Sequence, residues 1–220
     1  MIRTFTLLVL VASIVVAETP GAASHGPATS NPKHMASKTV GQLHIESFGA
    51  SGALFWVSQE AHVPIGVEAI FDHDKEPTID FDFAGGTIAD LLNIIVSQAP
   101  EYRWIEEDRI IHAFWNSTHL PIADVVMSYP GAKNKTRKEI WDDIDKRPEI
   151  TAWLEANHCE RQELLTGKEF SAHNAPISIE AGSMTLVQLL DQTAIKSGEN
   201  YWAIVQSATD KPCQVSILLW

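Results

Sequence analysis

Hydrophobic and polar residues alternate from Gln42 to Phe48. Leu43 and Ile45 fall on one side, His44 and Glu46 on the other, which predicts a half-buried strand. Gly49 to Gly52 break that pattern. Leu54, Val57 and Ala61 then recur at helical spacing, and Pro64 ends the helix by disfavouring helical geometry in the residue before it. Ile65–Phe71 reads as the next strand and Asp72–Pro77 as an acidic turn. Ile79, Phe81 and Phe83 face one way and Asp80 and Asp82 the other. Ala84–Gly86 turn the chain, and Thr87 is placed to cap a helix whose buried stripe is Ile88, Leu91, Leu92 and Ile95. Pro100 stops that helix. Tyr102–Glu107 and Arg109–Phe114 read as a hairpin across Glu107–Asp108. The order is β-α-β-β-α-β-β, for which two helices on one face of a small mixed sheet form an economical two-layer solution.

The pattern returns farther along. After a strand within Ala123–Tyr129 and a polar helical stretch, Thr136–Leu165, broken at Pro148, the segment Pro176–Gln206 repeats the segment Thr78–Asp108. Trp141, Ile144, Ile150, Trp153 and Leu154 form the apolar side of the helical stretch. Laying Thr78 on Pro176 matches Ile79 with Ile177, Phe81 with Ile179, Thr87 with Thr185, Leu91 with Leu189 and Leu92 with Leu190. One inserted residue then brings Tyr102 onto Tyr201. The matched positions are a core face, a cap and a strand start. The predicted fold class is α+β: two small β-α-β-β-α-β-β-type modules, residues 40–115 and 119–220, the second degenerate and carrying a helical insert. The alternative is a chance likeness between two ordinary strand–helix–strand segments.

The N-terminus changes the picture. One Arg precedes an apolar run from Phe5 to Val16, closed by Ala17. This is the pattern of a secretory signal, residues 1–17, with cleavage near Ala17 or within Ala22–Ser24. The run is shorter than the ~20 apolar residues that span a bilayer; a retained anchor is the competing reading. Residues 18–39, rich in Ala, Ser, Pro, Gly and His, read as a flexible linker. An exported chain fits the two cysteines, Cys159 and Cys213, which either pair as one disulfide or stand as separate thiols. The net charge of −12 repels phosphate backbones and argues against a nucleic-acid partner.

The stretch from Gln42 to Phe114 resembles the secretin and TonB short N-terminal domain. That family has a strand ending in Phe, a helix of the form x-x-A-L-x-x-L-x-x-Q-A, a short strand, an alternating strand, a Leu-rich helix and a two-stranded finish. Phe48, Ala53, Leu54, Val57, Gln59 and Ala61 sit at the positions of the first part, and Ile79–Phe114 supplies the second. The resemblance covers about a third of the chain. It implies a protein-interaction module of the bacterial cell envelope, periplasmic or secreted, without cofactor or catalytic residues. The family's usual secretin ring or TonB-dependent barrel has no room after Trp115.

Catalytic motifs are missing: there is no G-x-S-x-G and no H-E-x-x-H. Asp72–His73–Asp74 reads as a solvated turn and Ala84–Gly86 as a tight turn rather than a phosphate cradle. The histidines, including His44, His62, His73, His112 and His173, read as dispersed over strand faces, helix ends and turns. The seven tryptophans say more. Leu54, Phe55 and Trp56 are consecutive on a helix and cannot all face one core, so Phe55 or Trp56 is pushed to an edge. Trp56, Phe55 and Trp115 are the candidate interface residues. The expectation is therefore a non-enzymatic protein that contacts an envelope partner or a second copy of itself, with no membrane span once the signal is removed. The alternative is a small-ligand or cell-wall binding protein that uses a cleft between the two modules.

Overall fold

The computed structural model describes residues 34–71, 77–116, 119–162, 175–198, 201–207 and 212–219. The signal sequence, most of the linker, the Asp72–His73–Asp74 turn and His173 lie outside them. Among the described residues no helix is long and apolar enough to cross a membrane.

The chain is mixed α+β, as its two hydrophobic periods predict. The first half runs β1 (Thr39–Val40), β2 (Leu43–Gly49), α1 (Ala50–Ala61), β3 (Ile65–Phe71), β4 (Thr78–Phe83), β5 (Gly86–Thr87), α2 (Ile88–Gln98), β6 (Tyr102–Glu107) and β7 (Ile110–Trp115). The second runs β8 (Val126–Tyr129), β9 (Ala132–Lys135), α3 (Arg137–Asp145), α4 (Pro148–Ala156), β10 (Cys159–Arg161), β11 (Ile177–Ile179), β12 (Gly182–Thr185), α5 (Leu186–Ser197), β13 (Tyr201–Ser207) and β14 (Cys213–Leu219).

Several boundaries differ from the sequence expectation. Helix α1 starts at Ala50 and includes Gly52, where a Cβ would stand 3.4 Å from the Phe48 side chain. The β6–β7 turn is Asp108–Arg109, one residue late, with both residues at positive φ (46° and 72°) as a tight two-residue hairpin requires. The helical stretch ends at Ala156, and Cys159 opens a strand rather than lying on a helix. Pro148 breaks it as expected and supplies the first residue of α4, where its missing N–H costs nothing. Residues 35–39, read as linker, form a 3-10 turn and the first residue of β1; Lys38 Nζ donates to the Ala61 carbonyl at 2.6 Å.

Strand pairing repeats in the two halves. β2–β4 and β1–β5 in the first correspond to β9–β11 and β8–β12 in the second, all antiparallel. β3–β7 is parallel and β6–β7 antiparallel; β10–β14 is parallel and β13–β14 antiparallel. Thr87 and Thr185 each cap a helix with a reciprocal side-chain bond, and Leu91, Leu92, Leu189 and Leu190 are all fully buried. The single helix α1 is replaced by α3 and α4.

The two halves share one six-stranded sheet, in the order β10-β14-β13-β3-β7-β6. The junction is β13 against β3, parallel over seven residue pairs from Tyr201↔Ile65 to Ser207↔Phe71. Strand β13 therefore runs with β3, whereas its counterpart β6 runs against it. The second half is thus turned over, by roughly a half-turn about a line lying in the sheet across the strands. A half-turn exchanges faces, and the packing follows. Tyr201 and Ala203 of β13 join the core under α1 and α2, while the alternate residues Trp202 and Ile204 join the core under α3, α4 and α5. Within the first half both helices, α1 and α2, pack into one core as the two-layer reading expects; helices cover both faces of the shared sheet because each half brings its helices to the opposite side. From residue 32 on, these elements cluster as one unit.

Candidate interaction surface and buried polar junction

Helix α1 buries Ala50, Ala53, Leu54, Val57 and Ala61. That stripe leaves Phe55 and Trp56 on its flanks, and the two divide the task. Phe55 is half-buried, its ring edge-on to Tyr201 at 5.3 Å. Trp56 is 38% exposed, with its ring 5.8 Å from that of Phe48, itself 37% exposed, and 6.0 Å from Phe55. Tyr201 is buried and its hydroxyl donates to the Ser51 carbonyl at 3.1 Å, so the base of the group is held in place. The result is a pair of exposed aromatic rings on a rigid helix and the strand end preceding it. Phe48 was legible only as a family-pattern position; a register shift in β2–β4 between Ile45 and Phe48 sets it opposite Ile79 at the end of the strand.

Trp115 does not join this surface. It is 9% exposed and stacks edge-on against buried Tyr102 at 5.2 Å, so the core claims it and the interface reading for this residue is corrected. Cys159 and Cys213 form a disulfide between registered residues of the parallel strands β10 and β14, with Cα atoms 4.4 Å apart.

A second feature was missed in the sequence. The two halves enclose a cluster of polar side chains beside the β3–β13 junction. Glu68 of β3 is 1% exposed; its carboxylate accepts from the Leu120 N–H at 2.6 Å and from His119 Nδ1 at 2.7 Å. His112 of β7, 4% exposed, stacks on Phe114 and meets the Trp202 ring edge. Its Nε2 lies 3.6 Å from Asp191 Oδ2 on α5, and the other Asp191 oxygen accepts from Trp202 Nε1 at 2.8 Å. The expectation of dispersed histidines fails here: His112 and His119 converge with two acids. Glu68 and His112 stand on the adjacent strands β3 and β7 and His119 follows β7, while the turned-over second half adds Asp191. Among the described residues no group of three or more His, Cys, Asp or Glu side chains is placed to hold a metal ion.

Burial sets the charge state of the junction. Loss of solvation pushes His112 down to about 4. It pushes Asp191 up to about 7, against the pull of the Trp202 N–H and with help from Glu68, Glu107 and Asp108. Glu68 is raised too, by burial first. The His112–Asp191 contact is therefore a neutral imidazole facing a protonated carboxyl over most of the acid range, not an ion pair. Folded, the pair carries one proton, on Asp191. Unfolded, it also carries one between the usual values of 3.8 and 6.5, on the histidine. The proton counts match, so the pair adds little pH dependence to stability. Asp191→Asn removes the balance. The neutral histidine is then fully accommodated above 6.5, and stability is lost as pH falls from there towards 4. Urea midpoints measured between those limits should fall in the variant more steeply than in the wild type; parallel profiles would refute the shared proton.

Asp191 also lines an open groove of about 500 Å³, together with Asp108, Ile110, Met184, Gln188 and Gln192. Among the described residues no aromatic one lines it. No family model, no curated protein and no solved structure matches the chain.

Proposed function

We propose that this chain is an exported protein of the bacterial cell envelope, periplasmic or secreted, that works by protein–protein contact and not by catalysis. The observation that carries this reading is the exposed Phe48–Trp56 pair, braced from below by Phe55 and Tyr201. Rigid aromatics of this kind are the usual anchors of protein interfaces, since they bury much area with little loss of side-chain freedom. The resemblance of Gln42–Phe114 to the secretin and TonB short N-terminal domain supports the same reading. The small-ligand alternative draws less support: the groove beside Asp191 is open and, among the described residues, has no aromatic wall, whereas ligand sites are concave and mostly apolar.

The test compares Trp56→Ala with His112→Ala. Trp56→Ala should weaken capture of the envelope partner by about 2 kcal/mol, roughly thirtyfold, with an unchanged urea midpoint. His112→Ala should lower stability and leave capture intact once the protein is folded. If Trp56→Ala binds as well as the wild type, the aromatic pair is not the interface. If His112→Ala abolishes an enzymatic activity in folded protein, the non-catalytic reading is wrong.

A further inference from the structure

The two halves use the same edge of the same strand differently. In the second half the edge of β13 away from β14 carries β3. In the first half the equivalent strand is β6, and its edge away from β7 ends the sheet, with no strand paired to it among the described residues. Among the described residues the architecture thus satisfies this edge once and leaves its copy unpaired. Bare edges present unpaired N–H and C=O groups and recruit strands.

We infer that β6 pairs with β6 of a second copy, antiparallel about a twofold axis through Ile105, to form a dimer with one continuous sheet. Two identical edges that close on each other must do so about a twofold, and one perpendicular to the sheet keeps each face on its own side. That makes the new pair antiparallel, unlike the parallel internal junction.

The sequence of β6 selects the register. The two-residue turn makes Glu107↔Ile110 a hydrogen-bonded pair, so Glu107, Ile105 and Arg103 bond inward to β7. Tyr102, Trp104 and Glu106 therefore turn their backbone groups outward. Centring the twofold on Ile105 places Trp104 opposite Glu106, where both outward groups of each residue are bonded. It places Arg103 opposite Glu107 twice, on the face where side chains of non-bonded pairs approach most closely. Arg103 and Glu107 are exposed, and Ile105, 40% exposed, meets its own copy between them. Centring on Trp104 instead would set Arg103 against Ile105 and offer no charge pairing. The strand has neither proline nor bulge to protect it.

This surface is distinct from the Phe48–Trp56 pair, so the dimer and the partner contact fail separately. The experiment is sedimentation of the purified protein over micromolar to millimolar concentrations. The wild type should dimerise. Arg103→Glu and Glu107→Arg should each weaken the dimer about tenfold or more, since each sets like charges opposite one another twice. The double variant R103E/E107R should restore it, which only this register allows, and Trp56→Ala should leave it unchanged. A monomeric wild type, an assembly larger than a dimer, a dimer insensitive to both reversals, or reversals that the double variant does not rescue would each overturn the proposal.

Discussion

Trp202→Ala should destabilise the protein by about 4 kcal/mol, the upper range for truncating a buried aromatic. Trp202 has no exposed surface and sits at the junction that joins the halves. It is paired with Gly66 across β13–β3, and its indole lies over that glycine: a Cβ there would be 2.2 Å from Trp202 Cζ2. Truncation leaves the space above Gly66 empty and also deprives Asp191 of its indole donor. Trp202→Phe, which keeps most of the ring, should cost less. Gly66→Ala should itself be damaging, because the clash is with a fully packed ring. Gly66→Ala placed on Trp202→Ala should cost much less than on the wild type, because the clash is gone. Urea unfolding of the four proteins measures this. A cost below about 1 kcal/mol for Trp202→Ala, or full additivity with Gly66→Ala, would show that the pair does not lock the junction.

Loss of the disulfide should have a comparable effect. Cys159 and Cys213 are 54 residues apart. By loop-closure entropy, a link closing a loop of that size removes about 4 kcal/mol of freedom from the unfolded chain. The loop encloses β11, β12, α5 and β13, which supply Leu186, Leu189, Leu190 and Trp202 to the second core. The link also holds the three-residue strand β10 at the sheet margin, where few backbone bonds secure it. Reduced protein, or the Cys159→Ala/Cys213→Ala variant, should unfold at a clearly lower urea concentration than the oxidised form. Coincident curves would mean that packing alone holds β10. For an exported protein the oxidised state is the working one.

The polar junction also bears on the functional reading. Glu68 ties the segment at His119 and Leu120 to the sheet, and His112 Nε2 of the first half lies 3.6 Å from Asp191 Oδ2 of the second. Docking of the halves explains these contacts but not His112 Nδ1, which is buried with no hydrogen-bond partner among the described residues.

Much of this was legible from local pattern. The alternation in β2 and β4, the stripe of α2, the caps at Thr87 and Thr185 and the repeat itself depend on neighbouring residues in the chain, and the physics that places them is equally local. The consecutive Leu54, Phe55 and Trp56 already meant that one aromatic must leave the core, since a helix face is narrower than three successive residues. Trp115 could not be assigned this way: an aromatic on a strand faces core or solvent according to what covers that face. Gly66 passed unnoticed within the strand Ile65–Phe71, and only the structure shows that Trp202, well over a hundred residues away, fills the room it leaves.

What the sequence determined by itself was the α+β class, the repeated strand–helix–strand unit, and that Phe55 or Trp56 had to leave its helix's buried stripe. What only the tertiary structure decided was how the two units meet. One lies turned over against the other, which sets helices on both faces of a single sheet, brings Asp191 to Glu68, His112 and His119 at the seam and, among the described residues, leaves β6 as the open edge. The reason is physical: hydrophobic periodicity specifies which face of an element is buried, but not which of two equivalent apolar surfaces will cover it. That choice is made by long-range shape and pairing, here by an indole that fits where one glycine leaves room.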